Sequence, residues 1–176
     1  NNLAATDGGE EGTITVDTTN PTATIAFTAT DLDIAGNTSA VTITFSEAVT
    51  GFDKDADLLV EGGTLGDLTA SGDGLTYTGT FTAAADSEVP AVIRFKEDAA
   101  YTDANGNAGE ITASDTIAVD TLGTTATIDF AASNLNKSTN TANATTVTIT
   151  FSEPVTDFNS DDDLFVAGGS LDLMTS

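Results

Sequence analysis

Three oxygen-bearing side chains at alternate positions, Asp103, Asn105 and Asn107, are the residues of this 176-residue chain best suited to chemistry. With Gly106 between them they can offer carboxylate, amide and carbonyl oxygens to one hard cation. Asp17 and Glu47 add two further carboxylates if the chain brings them to the same place. Ca²⁺ takes roughly six to eight such oxygens in a loose geometry that Mg²⁺ tolerates poorly. The same residues also suit a plain turn, in which Asp and Asn cap their own backbone and Gly106 supplies the positive φ.

Other acidic groups invite the same question. Asp53, Asp55 and Asp57 have the D-x-D-x-D spacing of an EF-hand start, but Leu58 stands where that loop needs glycine and Thr64 where it needs a bidentate Glu. Either a peripheral Ca²⁺ site or solvated carboxylates with Asp57 ordering the next turn fits them. Asp55 and Asp57 recur as Asp161 and Asp163, and Asp17 and Glu47 recur as Asp120 and Glu153. Asp31 and Asp33 form a weaker candidate pair, since Asn134 and Asn136 stand at the corresponding later positions.

Most other chemistry is excluded by inventory. There are 28 acidic against 4 basic side chains, a formal charge of −24, which argues against nucleic acid. Without His or Cys the chain cannot build a zinc finger, a His-based triad, a thiol nucleophile or a disulfide framework. A paired-carboxylate hydrolase would need a cleft with aromatic or basic substrate contacts, and Lys54, Arg94, Lys96 and Lys137 lie in different segments. The chain therefore reads as no enzyme. A sugar platform is poorly served by two Tyr and no Trp, and the Thr-x-Thr pairs fall on strands too scattered for a flat ice-binding face. No apolar run approaches a membrane span. Residues 1–12 lack the basic start and apolar core of a signal peptide, so an export address is expected to lie outside this segment. Asn37, Asn136 and Asn143 open N-x-S/T sequons, which carry meaning only in a chain that passes through a glycosylating secretory route.

The elements that must position these groups are strands. The 34 threonines alternate with Val, Ile and Phe, and the clearest runs are Thr13 to Val16, Thr22 to Phe27, Ala40 to Phe45, Leu75 to Phe81, Ala91 to Phe95 and Thr116 to Val119. Turn clusters at Gly62-Gly63, Ser71-Gly72-Asp73-Gly74 and Asn105-Gly106-Asn107 separate them. The class is all-β. The apolar set expected mostly inside is Ile25, Val41, Ile43, Phe45, Leu75, Tyr77, Phe81, Ile93, Phe95, Ile117 and Val119. In an up-and-down sandwich, with successive strands reversing, Asp17, Glu47 and the loop 103–107 meet at one pole.

Val41-Thr42-Ile43-Thr44-Phe45-Ser46-Glu47 returns unchanged as Val147-Thr148-Ile149-Thr150-Phe151-Ser152-Glu153, an offset of 106, and Val16-Asp17-Thr18 pairs with Val119-Asp120-Thr121 at 103. A unit of about 103 to 106 residues suits an immunoglobulin-sized antiparallel β-sandwich in tandem. Residues 1–17 read as the terminal strand of one repeat, 18–120 as a complete repeat, and 121–176 as the N-terminal half of a following one. That half would expose a core face and a sheet edge, which invites strand complementation by another chain, for instance by residues 1–17 of a neighbour. Asp120 would meet Glu153 but no copy of the 103–107 loop, so a cation there should bind more weakly than at Asp17.

These strings resemble the bacterial immunoglobulin-like repeats of giant surface adhesins, including RTX adhesins of Gram-negative bacteria. The resemblance rests on Val16-Asp17-Thr18-Thr19-Asn20-Pro21, on Thr44-Phe45-Ser46-Glu47-Ala48-Val49-Thr50-Gly51-Phe52, and on Tyr101-Thr102-Asp103-Ala104-Asn105-Gly106-Asn107. It implies an extracellular extender role at the bacterial cell surface, in which tandem sandwiches stiffened by Ca²⁺ at their junctions hold a ligand-binding tip away from the cell in adhesion and biofilm formation. Thr124 departs from the pattern where Pro21 stands in the first copy. The alternative is a carbohydrate- or protein-binding adhesin module of the same fold. Near-identical neighbouring copies favour the extender.

Overall fold

Threonine alternating with β-branched and aromatic residues produces short strands with one wet and one dry face. In a computed structural model, which describes residues 16–135 and 144–172, the chain divides into two compact units, one ending at Leu122 and one beginning at Gly123. Residues 13–15 of the strand expected over Thr13 to Val16, most of the segment 1–17, and the sequons at Asn136 and Asn143 lie outside the described residues, and Val16 itself is exposed and in no strand.

The first unit runs β1 (Ala23–Phe27), β2 (Asp31–Asp33), β3 (Thr38–Phe45), α1 (Lys54–Asp57), β4 (Leu58–Glu61), β5 (Gly63–Leu65), β6 (Thr69–Ala70), β7 (Thr76–Ala83), β8 (Ala91–Phe95) and β9 (Ser114–Asp120). One sheet has the order β1-β3-β7-β5, with β6 also on β7, and the other has the order β2-β9-β8-β4. All pairs are antiparallel except β2 with β9, which run parallel with Asp33 opposite Asp120. The connectivity is not up-and-down. β2 leaves the sheet of β1 for the opposite one before β3 returns, and β7 to β8 crosses again. A Leu32 side chain that is fully buried explains the first crossing, because it anchors β2 in the core from the second sheet.

Both sheets feed one core. Ile25, Val41, Ile43, Phe45 and Phe81 enter from the first, and Leu32, Leu58, Ile93, Phe95, Ile117 and Val119 from the second. Leu75 and Tyr77 are only half-buried. Tyr77 instead sets its ring edge-on to Phe45 and Phe52, at 5.6 and 5.1 Å between centroids. The largest fully buried side chain is Tyr101, outside the regular strands, 1% exposed and packed on Phe45 and Phe95. Gly109 makes room for it, since a Cβ there would lie 2.0 Å from the ring. Among the described residues no helix is long and apolar enough to cross a membrane.

The second unit contains β10 (Ala126–Phe130), β11 (Val147–Phe151) and α2 (Ser160–Asp163). Its hairpin register reproduces the first unit residue for residue: Ala126 faces Phe151 as Ala23 faces Phe45, and Phe130 faces Val147 as Phe27 faces Val41. The three-residue difference in repeat offset is therefore absorbed between the strands. Phe151 and Phe158 meet edge-to-face at 5.1 Å and 68°, against 5.2 Å and 68° for Phe45 and Phe52. The burial does not follow. Ile128 is 52% exposed where Ile25 is 7%, and residues 164–167, which correspond to β4, form no strand. In the first unit β4 is paired by β8, and that pairing is what makes it a strand.

Candidate metal centre

Three chain segments meet at the pole where the first unit begins. The first is the linker, which carries Asp17 and turns into β1 through Thr19, whose N–H donates to Asp17 Oδ1 at 3.0 Å. The second is the turn that ends β3. There Ser46 N–H donates to Thr22 O and Ser46 Oγ accepts from Thr22 N–H, both at 2.9 Å, so the turn is fastened to the strand entry and Glu47 follows at a fixed place. The third is the loop after Tyr101. Its backbone is tied to Thr50 by reciprocal Thr50 and Thr102 amide bonds of 2.7 and 3.0 Å, and to Pro21 O by Glu110 N–H at 2.9 Å. The Tyr101 hydroxyl donates to Glu110 O and closes the loop on itself. Burial, reinforced by Glu110 and Asp57, pushes that hydroxyl up to about 12.

One carboxylate oxygen from each of Asp17, Glu47 and Asp103 lies within 4.8 Å of the others, and among the described residues these form the one such acidic triad. Asp103 is 3% exposed. Its Oδ1 accepts the backbone N–H groups of Asn105 and Asn107, each at 2.8 Å, and its Oδ2 accepts from Asn107 Nδ2 at 2.7 Å. Desolvation would raise its pKa, but the hydrogen bonds from Asn107, Asn105 and Gly106 outweigh it and hold the group below the ordinary aspartate value. Glu47 moves the other way. Desolvation, then the charges of Asp17 and Asp103, push it above the usual glutamate value. Among the described residues the one ion pair is Lys54 with Asp55, so no basic side chain pairs with the triad.

Asn105 and Asn107 close the arrangement. Asn105 Nδ2 donates to Asp17 Oδ2 at 2.9 Å, and Asn107 Nδ2 donates to Asp17 O at 3.2 Å as well as to Asp103. The amides thus present N–H to the acids here, and a half-turn of either amide exchanges nitrogen for a ligating oxygen. The donor set consists of three carboxylates, two amides and the Asp17 carbonyl. It is all hard oxygen and suits Ca²⁺ rather than a soft or nitrogen-seeking metal.

The remaining acidic candidates are placed differently. Asp53 caps α1, accepting from Asp55 N–H and Ala56 N–H at 2.8 and 3.0 Å, and these backbone bonds hold its carboxyl below the usual range. Asp57 is buried, its Oδ2 accepting from Asp53 N–H at 2.7 Å and its Oδ1 from Ala100 N–H at 2.9 Å. Asp55 points outward and pairs with Lys54. Asn159 and Asp163 repeat the cap around α2, Asn159 N–H reaching Asp163 Oδ2 at 2.8 Å, while Asp161 is exposed. Asp33 Oδ1 closes its turn on Gly36 N–H at 2.6 Å, and Asp31 is exposed on β2. Asp120 ends β9 and accepts from Leu122 N–H at 3.4 Å, and Glu153 accepts from Thr124 Oγ1 at 2.8 Å. Composition and spacing did not single out Tyr101 as the anchor of the loop. The signal was present in the alternation of Tyr101 and Asp103 about Thr102, which bridges to Thr50 and leaves the ring and the first acid on the same buried side.

A search among curated proteins and a search among solved structures each found no match to the chain. A family model described as a bacterial Ig-like domain matches residues 17–119 and again residues 120–176. Its first span takes in both sheets, and its two starts fall on Asp17 and Asp120, the two equivalent linker aspartates. With a two-sheet core in the first span and the same hairpin register in the second, the chain belongs to the bacterial Ig-like domain family.

Proposed function

We propose that the chain is a non-catalytic extender segment of a bacterial cell-surface adhesin of RTX type, with Ca²⁺ bound at the Asp17 junction to stiffen the linker. The observation that carries this reading is the convergence of Asp17, Glu47 and Asp103, one from the linker and two from the sandwich, within 4.8 Å of one another in a chain of net charge −24. A cation held there would tie the linker to the domain it enters and offset the desolvation and the like charges of Asp17 and Asp103 that push Glu47 up. Asn105 and Asn107 would complete the shell. An Ig-like all-β fold is typically non-catalytic, which agrees with a chain that has neither His nor Cys.

Tandem repeats in the same chain are its first partners. The open face of β10 and β11, with Ile128 and Phe130 exposed, suits completion by strands of another segment or chain. The extracellular face of the bacterial envelope supplies the millimolar Ca²⁺ that a site of this kind needs.

Calorimetric Ca²⁺ titration of the chain, with thermal melting and small-angle scattering in Ca²⁺ and in chelator, tests the reading. The expected result is binding, a higher melting temperature and a longer, stiffer particle in Ca²⁺. Identical melting and scattering in the two conditions would overturn it.

A further inference from the structure

The loop that delivers Asp103 contains the one Asn-Gly pair in the sequence, Asn105-Gly106. A glycine after asparagine leaves the backbone nitrogen unscreened by any side chain, which favours its attack on the asparagine amide carbon. Here both residues are exposed, Gly106 has φ +89°, and a Cβ built on it would meet nothing within 4 Å. The Gly106 N–H makes a long 3.3 Å bond to Asp103 O. The side chain that would react is the one whose Nδ2 touches Asp17 Oδ2 at 2.9 Å.

We propose that Asn105 is a spontaneous deamidation site, and that its conversion adds a fourth carboxylate to the group formed by Asp17, Glu47 and Asp103. In the first step the Gly106 nitrogen gives up its proton and bonds to Asn105 Cγ. The Cγ–Nδ2 bond breaks, and the leaving nitrogen takes up that proton and departs as ammonia, leaving a five-membered succinimide. Water then opens the ring. Opening at Cγ restores the normal backbone with aspartate at 105, and opening at the main-chain carbonyl carries the backbone through the side chain as isoaspartate. No oxidant or cofactor is needed, and the net change is one amide and one water to one carboxylate and one ammonium.

The consequence depends on what the group holds. Without a cation, conversion replaces the N–H donor on Asp17 Oδ2 by a like charge and loosens the linker. With a cation, it raises the ligand charge. This part rests on the Ca²⁺ reading proposed above, and the modification itself does not.

The test has two arms. The full chain is aged at mildly alkaline pH in chelator and mapped by peptide mass spectrometry, beside Asn105→Gln, whose longer side chain closes the ring slowly. The expected result is the amide-to-acid mass gain at residue 105 ahead of every other asparagine, and none at that position in Asn105→Gln. Asn105→Asp is then titrated with Ca²⁺. Its affinity should rise on the order of tenfold over the fresh chain, since ligand charge sets Ca²⁺ affinity, and its melting temperature in chelator should fall. An intact Asn105 after other asparagines have converted would overturn the modification. Conversion with no gain in affinity for Asn105→Asp would overturn its coupling to the cation. A fresh chain that binds no Ca²⁺ would instead sink the functional reading and leave the mass result to stand by itself.

Discussion

Asp57 and Ala100, 43 residues apart, are joined through a buried carboxylate: Asp57 Oδ1 accepts the Ala100 N–H at 2.9 Å while Oδ2 accepts that of Asp53 at 2.7 Å. The Asp57 carbonyl also accepts from Lys96 N–H at 2.8 Å. One residue therefore holds α1 against the segment that leads into Tyr101 and Asp103.

Asp57→Ala takes the acceptor from two part-buried amide bonds, and should cost about 1–3 kcal/mol in urea unfolding. Asp57→Asn keeps one acceptor oxygen and should cost less. If the loss passes to the loop, Ca²⁺ affinity falls in the alanine variant although residue 57 is no ligand. An alanine variant as stable as the parent would show that the bond is replaced by water.

Tyr101→Phe removes only the hydroxyl bond to Glu110 O and should destabilise by about 1 kcal/mol, leaving that carbonyl to water. Tyr101→Ala empties the space between Phe45 and Phe95 and should cost roughly 3–5 kcal/mol. Gly109→Ala drives a methyl into the ring and should approach the second value rather than the first. Equal effects of the two tyrosine variants would mean that the ring contributes little packing.

The pH dependence should be two-sided in the absence of cation. Asp103 and Asp53 have lowered values in the folded chain, so the stability they contribute is present above their unfolded values near 3.8 and is lost as pH falls through the folded ones. Glu47 has a raised value, so its protonated form favours folding, and stability declines as pH rises from its unfolded value near 4.5 through the folded one. Urea midpoints across this range should show a maximum on the acid side of neutrality. Glu47→Gln should abolish the decline on the alkaline limb. Saturating Ca²⁺ should reverse it. A Glu47→Gln profile identical to the parent's would assign the limb to other groups.

Asp17→Ala should lower Ca²⁺ affinity more than Asp120→Ala, because Asp17 is in reach of Glu47 and Asp103 within the first unit. Equal losses in titration would show that the loop 103–107 supplies no ligands.

Hydrogen exchange should distinguish the two hairpins of identical register. β3 is flanked by β1 and β7 and packs on the second sheet, whereas β10 and β11 form a two-stranded sheet with Ile128 and Phe130 exposed. A lone hairpin is marginal in water, so amides of β11 should exchange orders of magnitude faster than those of β3. Equal protection would require another segment to cover the second hairpin.

Local pattern carried a definite part of this structure. Val41, Ile43 and Phe45 alternate with Thr42 and Thr44, so strand and buried face follow from the period of two alone, and β8 falls on Ala91–Phe95 as the pattern predicts. The repeated heptapeptide likewise carried the equivalence of β3 with β11. What local pattern could not carry was pairing between distant segments. β2, β4, β5 and β6 are two to four residues long, too short to show a period, and become strands only because β9, β8 and β7 present free edges to them. The three acids of the candidate site were visible as residue types, and so was the alternate spacing of the loop. Their meeting was inferred from an up-and-down path that the chain does not follow. Asp17, Glu47 and Asp103 come together because Tyr101 is buried against Phe45 and because Ser46 and Thr22 fasten the turn to the linker. Those contacts span tens of residues, and only the folded core determines them.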